Sequence, residues 1–236
     1  MKMKKLVYML VAFTALILFA SPTVSQATGG EAAKVEQAND VLNDIMSIPE
    51  RGIPEAMLKN AYGVAVFPGL LKAGFIVGAR YGEGVLVVKK DNGDWSSPLF
   101  VSLGGGSFGW QIGAQSTDVI LVLKSRKSVD AIANGKFTLG ADASVVAGPV
   151  GRQAEAATDI VLKSEILSYS RSRGLFAGLA LDGAVIQVDS DANRAFYGSS
   201  DITPGEILAS SGAVAPGAAR SFSCTVTKIT LSGKCA

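Results

Sequence analysis

Histidine is absent from all 236 residues of this chain. That absence removes the Ser-His-Asp and Cys-His catalytic devices, the HExxH metal site and the imidazole pH switch, and it takes away the commonest general base. Cysteine is nearly absent: Cys224 and Cys235 stand alone near the C-terminus. A surplus of positive charge is missing as well. Three of the 22 Lys and Arg fall at Lys2, Lys4 and Lys5, and setting residues 1–27 aside leaves 19 cations against 20 carboxylates. A net charge of about −1 excludes a generally basic nucleic-acid binder, because neutralising phosphates needs a surplus of cations or a dense basic stripe.

What is present begins with those three lysines. They precede an apolar run from Leu6 to Ala20, and Ser25-Gln26-Ala27 offers small residues for cleavage, so residues 1–27 are predicted to be a secretory signal peptide. The run stops at Ser21-Pro22, short of the about 20 apolar residues of a retained spanning helix, which is the rival reading. No cysteine lies near the cut and no twin arginine precedes the run, so a lipid-modified lipoprotein is not indicated. Export predicts a periplasmic or envelope-associated protein if the source is bacterial. An oxidising compartment makes a disulfide between Cys224 and Cys235 the natural pairing, with two free thiols as the alternative.

Glu31 to Met46 places Ala32, Val35, Ala38, Val41, Leu42 and Ile45 at helical spacing, with Glu31, Glu36, Asp40 and Asp44 on other faces. A short helix is predicted from Pro54 to about Asn60. From Tyr62 the texture turns to β-type runs broken by glycine: Val64–Phe67, Gly74–Arg80, Gly84–Lys89, Leu99–Leu103, Trp110–Ala114 and Val119–Leu123. They read as an antiparallel meander, with a hairpin turn at Asp91-Asn92-Gly93-Asp94. A helix at Ser125–Asn134, capped by a serine and stopped by Gly135, interrupts it. Strand-like runs resume at Lys136–Leu139, Ala143–Ala147, Asp159–Leu162, Ile166–Ser170, Leu175–Leu181 and Ala184–Val188, before a short helix at Thr203–Ala209. Residues 28–209 therefore pattern as one domain. Residues 210–219 read as a flexible linker to the cysteine-bearing tail, where Phe222, Cys224 and Val226 alternate as in a strand. The predicted class is α+β: a mainly antiparallel, strongly curved or barrel-like sheet with a few flanking helices.

Gly104-Gly105-Gly106-Ser107-Phe108-Gly109 spells G-x-G-x-x-G, the form of a dinucleotide turn. Such a turn needs a strand before it and a helix after it, and the following "WQIGAQSTDVILVL" has β-branched residues and no helical stripe. No cofactor is predicted. Asp189-Ser190-Asp191-Ala192-Asn193 resembles the start of a calcium loop, but Arg194 stands where the loop needs glycine, so a polar turn is the better reading and no metal is predicted. Many of the 27 glycines recur beside alanine within strand-like runs, where small residues permit close backbone approach and sharp curvature.

"AYGVAVFPGLLKAGFIVGARYGEGVLV", "GDWSSPLFVSLGGGSFGWQIGAQSTDVILVL", "FTLGADASVVAGPVGR" and "YSRSRGLFAGLALDGAVIQVDSDANRAFYG" resemble, in order, the signature blocks of the SYLF domain family, from about Ile48 to Leu208. The resemblance implies a lipid-binding module, since eukaryotic members bind phosphoinositides and the yeast members also bind and bundle actin. The family's basic amphipathic N-terminal segment is not matched, because Lys34 is the lone cation among Glu31, Glu36, Asp40 and Asp44. Lipid binding carries over; a specific headgroup does not.

Two places suit such a role. Phe67, Leu70 and Leu71 surround a Pro-Gly turn beside Lys72, an arrangement for apolar insertion next to a cation, with a buried corner as the rival. Arg171 and Arg173 lie two residues apart on one face of an extended segment, where they would grip phosphate, with a solvated charged turn as the rival. The function expected is non-catalytic binding of phospholipid, another lipid or a membrane surface outside the cytoplasm. The alternative is an envelope structural or protein-interaction module without a lipid ligand.

Overall fold

The computed structural model describes residues 27–47, 52–150, 161, 163–172, 175–177, 181–212 and 217–231. Residues 1–26 of the expected signal, and most of the run expected as a strand at 159–162, lie outside the described residues. Helices α1 (Ala27–Met46) and α2 (Glu55–Lys59) precede two long strands, β1 (Gly63–Val88) and β2 (Leu99–Leu123). Then come α3 (Arg126–Ala133), β3 (Lys136–Thr138), β4 (Val145–Ala147), β5 (Ile166–Ser172), β6 (Leu175–Ala177), β7 (Val185–Val188), α4 (Ser190–Tyr197), α5 (Pro204–Ala209) and α6 (Gly217–Leu231).

The architecture is α+β with a strongly curled, mostly antiparallel sheet, but the expected meander of six short strands is two strands of 26 and 25 residues. The Pro and Gly positions that read as strand ends are irregularities inside one continuous ladder. It runs from Gly63 opposite Leu123 to Leu86 opposite Leu99, with shifts of register only between Phe67 and Leu70 and between Gly74 and Ile76. Proline is tolerated within a sheet at such bulges. β2 is the hub: its end at Asp118–Leu123 also pairs with β5, and its start at Val101–Gly104 with β7. β3 extends the sheet beyond β7, β6 adds to β5, and β4 joins β5 as a parallel neighbour.

The ribbon of β1 and β2 doubles back on itself, and glycine is what lets it. The N–H of Lys89 donates to the carbonyl of Tyr62 at 2.8 Å, bringing the two ends of β1 together. Further in, a Cβ on Gly84 would stand 2.2 Å from the Val66 carbonyl oxygen and 2.7 Å from Phe67 Cδ1. One on Gly82 would stand 2.7 Å from Leu70 Cδ1. The backbone of one arm thus lies directly on the other, at a separation no side chain would fit.

Alternation along the folded ribbon sends apolar side chains to two buried layers. Val64, Val66, Val85, Val87, Phe100, Ile120 and Val122 join Val35, Ala38, Leu42 and Ile45 of α1 and Phe222 and Val226 of α6. Ala65, Phe67, Leu86, Leu99, Val101, Val119 and Leu121 face the other way, toward Val129 and Ile132 of α3, Ile186 of β7 and Ile207 of α5. Local capping follows the sequence. Ser125 accepts from the Ser128 N–H at 3.1 Å, and Thr203 and Glu206 form a reciprocal capping box. The acidic turn at 189–193 is the start of α4. Asp189 caps it, and buried Asn193 donates to the Phe100 carbonyl at 3.0 Å while accepting the Phe100 N–H at 2.9 Å.

The tail corrects the sequence reading. Residues 217–231 are a helix, not a strand, because Ala219, Phe222, Ser223, Val226 and Thr230 recur at helical spacing and all are buried. Residues 210–212 are held rather than loose: the Ser97 N–H donates to Ser210 O and the Gly212 N–H to Trp95 O, each at 3.3 Å. Cys224 lies in α6 and Cys235 outside the described residues, so their pairing remains a proposal.

Two ion pairs fasten α1 across the sheet: Lys34 with Glu83 of β1, and Asp44 with Arg171 of β5. The hydrogen bond from Lys34 holds the Glu83 carboxyl below the usual carboxylate range, against the opposing effect of burial. A depressed folded-state value stabilises the fold above the unfolded-state value and ceases to do so as pH falls through the folded one. The stability difference between wild type and Glu83→Gln is therefore expected at neutral pH and should shrink as pH drops below the ordinary value of 4.5. Denaturant midpoints measured across that range check it, and a gap that widens in acid would contradict it. Gly84→Ala is expected to cost about 1–3 kcal/mol through forced separation of the β1 arms. Gly106→Ala, with nothing within 4 Å of its added Cβ, should change stability by less than about 0.5 kcal/mol in the same denaturation assay.

Candidate functional site

The Pro-Gly corner is a bulge in β1. Gly69 takes φ 61°, a left-handed conformation that suits glycine, and its N–H donates to Asp118 Oδ1 of β2 at 2.9 Å. The bulge turns Phe67 and Leu70 into the second buried layer, at 0% and 2% exposure. These two are core residues and have no apolar surface to offer a ligand, which corrects their expected role. Leu71, by contrast, is 56% exposed, and Lys72 beside it is half-buried and makes no ion pair among the described residues.

Arg171 is close to that corner in the ladder. It stands opposite Asp118, whose carboxylate anchors the Gly69 bulge. The structure thus brings the β1 corner and Arg171 to either side of one residue of β2. Its guanidinium is already paired with Asp44, however, so it does not offer phosphate a free cation; this too corrects the sequence reading. Arg173 lies outside the described residues.

Beyond the corner the ribbon forms an arch. Because β1 meets itself at Leu70 and Gly82, residues 71–81 must leave the body and return to it. β2 follows them, from Thr117 opposite Leu70 to Gly104 opposite Tyr81. The described core residues of the ribbon stop at this line: Leu70 and Val85 on β1, Leu103 and Val119 on β2. Past it Leu71, Ala73, Ala79, Tyr81, Gly106, Gln115 and Ser116 are exposed. At the returning foot, burial lowers the Arg80 pKa and the nearby Asp182 carboxylate partly restores it. Tyr81 donates to Glu83 Oε1 at 3.1 Å while its ring stays 53% exposed.

The G-x-G-x-x-G stretch lies within this arch and inside one uninterrupted strand, where a phosphate-binding turn has no room. Of its glycines Gly105 is required by packing, since a Cβ there would come 2.9 Å from Ala184 Cα, whereas one on Gly106 would meet nothing within 4 Å. Sequence reading missed the arch, although a signal was present. No Asp, Glu, Lys or Arg occurs between Asp94 and Asp118, nor between Lys72 and Arg80.

Elsewhere a groove of about 320 Å³ is lined by Tyr62, Lys89, Lys90, Arg126, Asp130 and Leu208, among others. Arg126 is paired there with Asp91, and Lys89 donates to the Lys59 carbonyl at 3.3 Å. Among the described residues no group of three or more His, Cys, Asp or Glu is placed to hold a metal, and no helix is long and apolar enough to cross a membrane.

The family model described as "Ysc84: Las17-binding protein actin regulator" matches residues 104–229, from the arch to the last helix. An SH3 domain-containing protein of Schizosaccharomyces pombe is 42% identical over 170 residues, covering 71% of this chain and 39% of that protein. Protein YSC84 of Saccharomyces cerevisiae is 39% identical over 171 residues, covering 71% and 36%. The human SH3 domain-containing YSC84-like protein 1 is 33% identical over 182 residues, covering 75% and 53%. The chain thus spans from about a third to about half of these relatives' own lengths. A match over more than half of the residues, running from within β2 to α6, shows that this chain belongs to the Ysc84 family, the SYLF domain family that its signature blocks resemble.

Proposed function

We propose that the protein is a non-catalytic module that binds phospholipid at a membrane surface outside the cytoplasm. One observation carries the reading: the feet of the arch expose Leu71 and Tyr81, at 56% and 53%, beside a Lys72 that makes no ion pair among the described residues. Exposed apolar groups beside a cation suit the boundary between anionic headgroups and acyl chains. The apolar run at residues 6–20 supports export. The acidic positions of α1 do not supply the contact, since its single lysine is spent on Glu83.

A second reading has its own support. The family is described by binding to a protein, Las17, and by actin regulation, so the exposed surface of the ribbon would serve instead to hold a protein of the envelope.

Vesicle co-sedimentation distinguishes the two. Residues 28–236 are the right material, because the apolar N-terminal run would bind vesicles by itself and every described element is otherwise retained. Sedimentation with phosphatidylglycerol-containing vesicles is expected, falling with salt. Lys72→Glu should weaken it about tenfold or more, at roughly 1 kcal/mol for each unit of charge near an anionic surface. Arg171→Ala should leave it within about twofold, since Asp44 already occupies that guanidinium. No association with any bacterial lipid mixture, together with one protein recovered by crosslinking in the envelope, would favour the second reading.

A further inference from the structure

We infer that the groove between the two ends of β1, α3 and α5 is a binding site for a small organic anion with an apolar body. This site is separate from the lipid contact proposed at the feet of the arch: nine residues of chain separate Tyr62 from Leu71, and Tyr81 from Lys90, about 30 Å when extended. The space measures about 320 Å³, at the small end of the roughly 300–1,000 Å³ of small-molecule sites. It admits one compact group and excludes a folded domain. Backbone hydrogen bonds fix its walls. The Tyr62 N–H donates to the Leu123 carbonyl and the Lys89 N–H to the Tyr62 carbonyl, each at 2.8 Å, and the turn beyond closes through the Lys90 N–H on Asp94 O at 2.8 Å. The pair of Arg126 with Asp91 ties that turn to α3.

Charge selects the sign of the ligand. Five charged residues line the groove: Lys89, Lys90, Arg126, Asp91 and Asp130. Arg126 and Asp91 cancel each other. Lys90 and Asp130 make no ion pair among the described residues. The Lys89 ammonium uses one N–H on the Lys59 carbonyl at 3.3 Å, which leaves it two to donate. Two lysines against one carboxylate leave one positive charge, the complement of a monoanion. Asp91, by hydrogen bond and charge, and more weakly Asp130 raise the Arg126 pKa, which sets Asp130 toward that guanidinium and leaves the two ammonium groups to the anion. Apolar surface completes the match. Tyr62 is 46% exposed, one of three large hydrophobic residues so exposed among the described residues, and it lines this concave space together with Val88 and Val129. A ring beside two ammonium groups suits an aryl carboxylate, its body on the tyrosine and its charge on the lysines.

Amide NMR shifts of isotope-labelled residues 28–236 test the site, with benzoate as the probe and benzyl alcohol as its uncharged counterpart. Benzoate is expected to give saturable shifts, at roughly millimolar concentration, confined to Tyr62, Lys89, Lys90 and the first turn of α3, with the alcohol about fivefold weaker or more. Lys90→Glu turns the lining from one net positive to one net negative charge. It should weaken benzoate about tenfold or more and leave the alcohol within about twofold, while Lys90→Arg restores benzoate binding. Unchanged amide positions outside the groove show that these variants are folded. Tyr62→Ala should weaken both probes about threefold or more. Co-sedimentation of Lys90→Glu with phosphatidylglycerol-containing vesicles should stay within about twofold of wild type, because exposed charges more than about 8 Å apart are largely screened at physiological salt. Benzoate shifts that are absent or scattered, or an alcohol response as strong as benzoate's, would overturn the inference and leave the lipid-binding reading untouched. Loss of vesicle co-sedimentation in Lys90→Glu would make the groove part of the membrane contact and overturn its assignment as a separate site.

Discussion

Everything in this fold depends on one steric fact: β1 passes over itself at Gly82 and Gly84 closely enough that a Cβ there would meet the Val66 carbonyl or the Leu70 side chain. A two-stranded ribbon about 25 residues long has far more apolar surface than a single hairpin can cover. Folding it upon itself divides that surface into two layers. α1 and α6 close one; α3, α5 and β7 close the other. The same crossing fixes where the core stops and the arch begins. Fold and candidate site therefore share a single determinant.

Electrostatics sets the orientation of α1 rather than its affinity for a surface. Lys34 and Asp44 point to partners on different strands, Glu83 and Arg171, so the helix is tied near each end to parts of the sheet far apart in sequence. A relative using a basic helix to approach lipid would leave such cations free. Here the one basic side chain on that helix is engaged with Glu83 of β1.

Local signals were read well from the sequence where the determinant is local. The serine cap at Ser125 and the Thr203–Glu206 box mark helix starts within a few residues of their partners, and both helices stand where those residues place them. The strand character of residues 102–115 followed from β-branched residues after the glycines, which disposed of a phosphate-binding turn. What stayed hidden is long-range. Pro68-Gly69 looks like the end of a strand unless it is known that Asp118, 49 residues on, accepts the Gly69 N–H and keeps the ladder going. Phe222 and Val226 fit a strand of period two as well as a helix in which they stand one turn apart. Only burial against α1 and the sheet decides between them. Arg171 reads as a free cation until its partner, 127 residues earlier, is seen.

The indole of Trp95, beside the turn joining β1 to β2, donates to Thr230 Oγ1 of α6 at 2.9 Å across 135 residues of chain. With Phe222 and Val226 filling the layer beneath α1, this contact makes the last helix a completion step in folding. Closure between such distant segments is slow, because the entropy of ordering the intervening chain is spent before the contact returns anything. Until the segment around Val226 has been made, the layer that α1 shares with α6 is only partly covered.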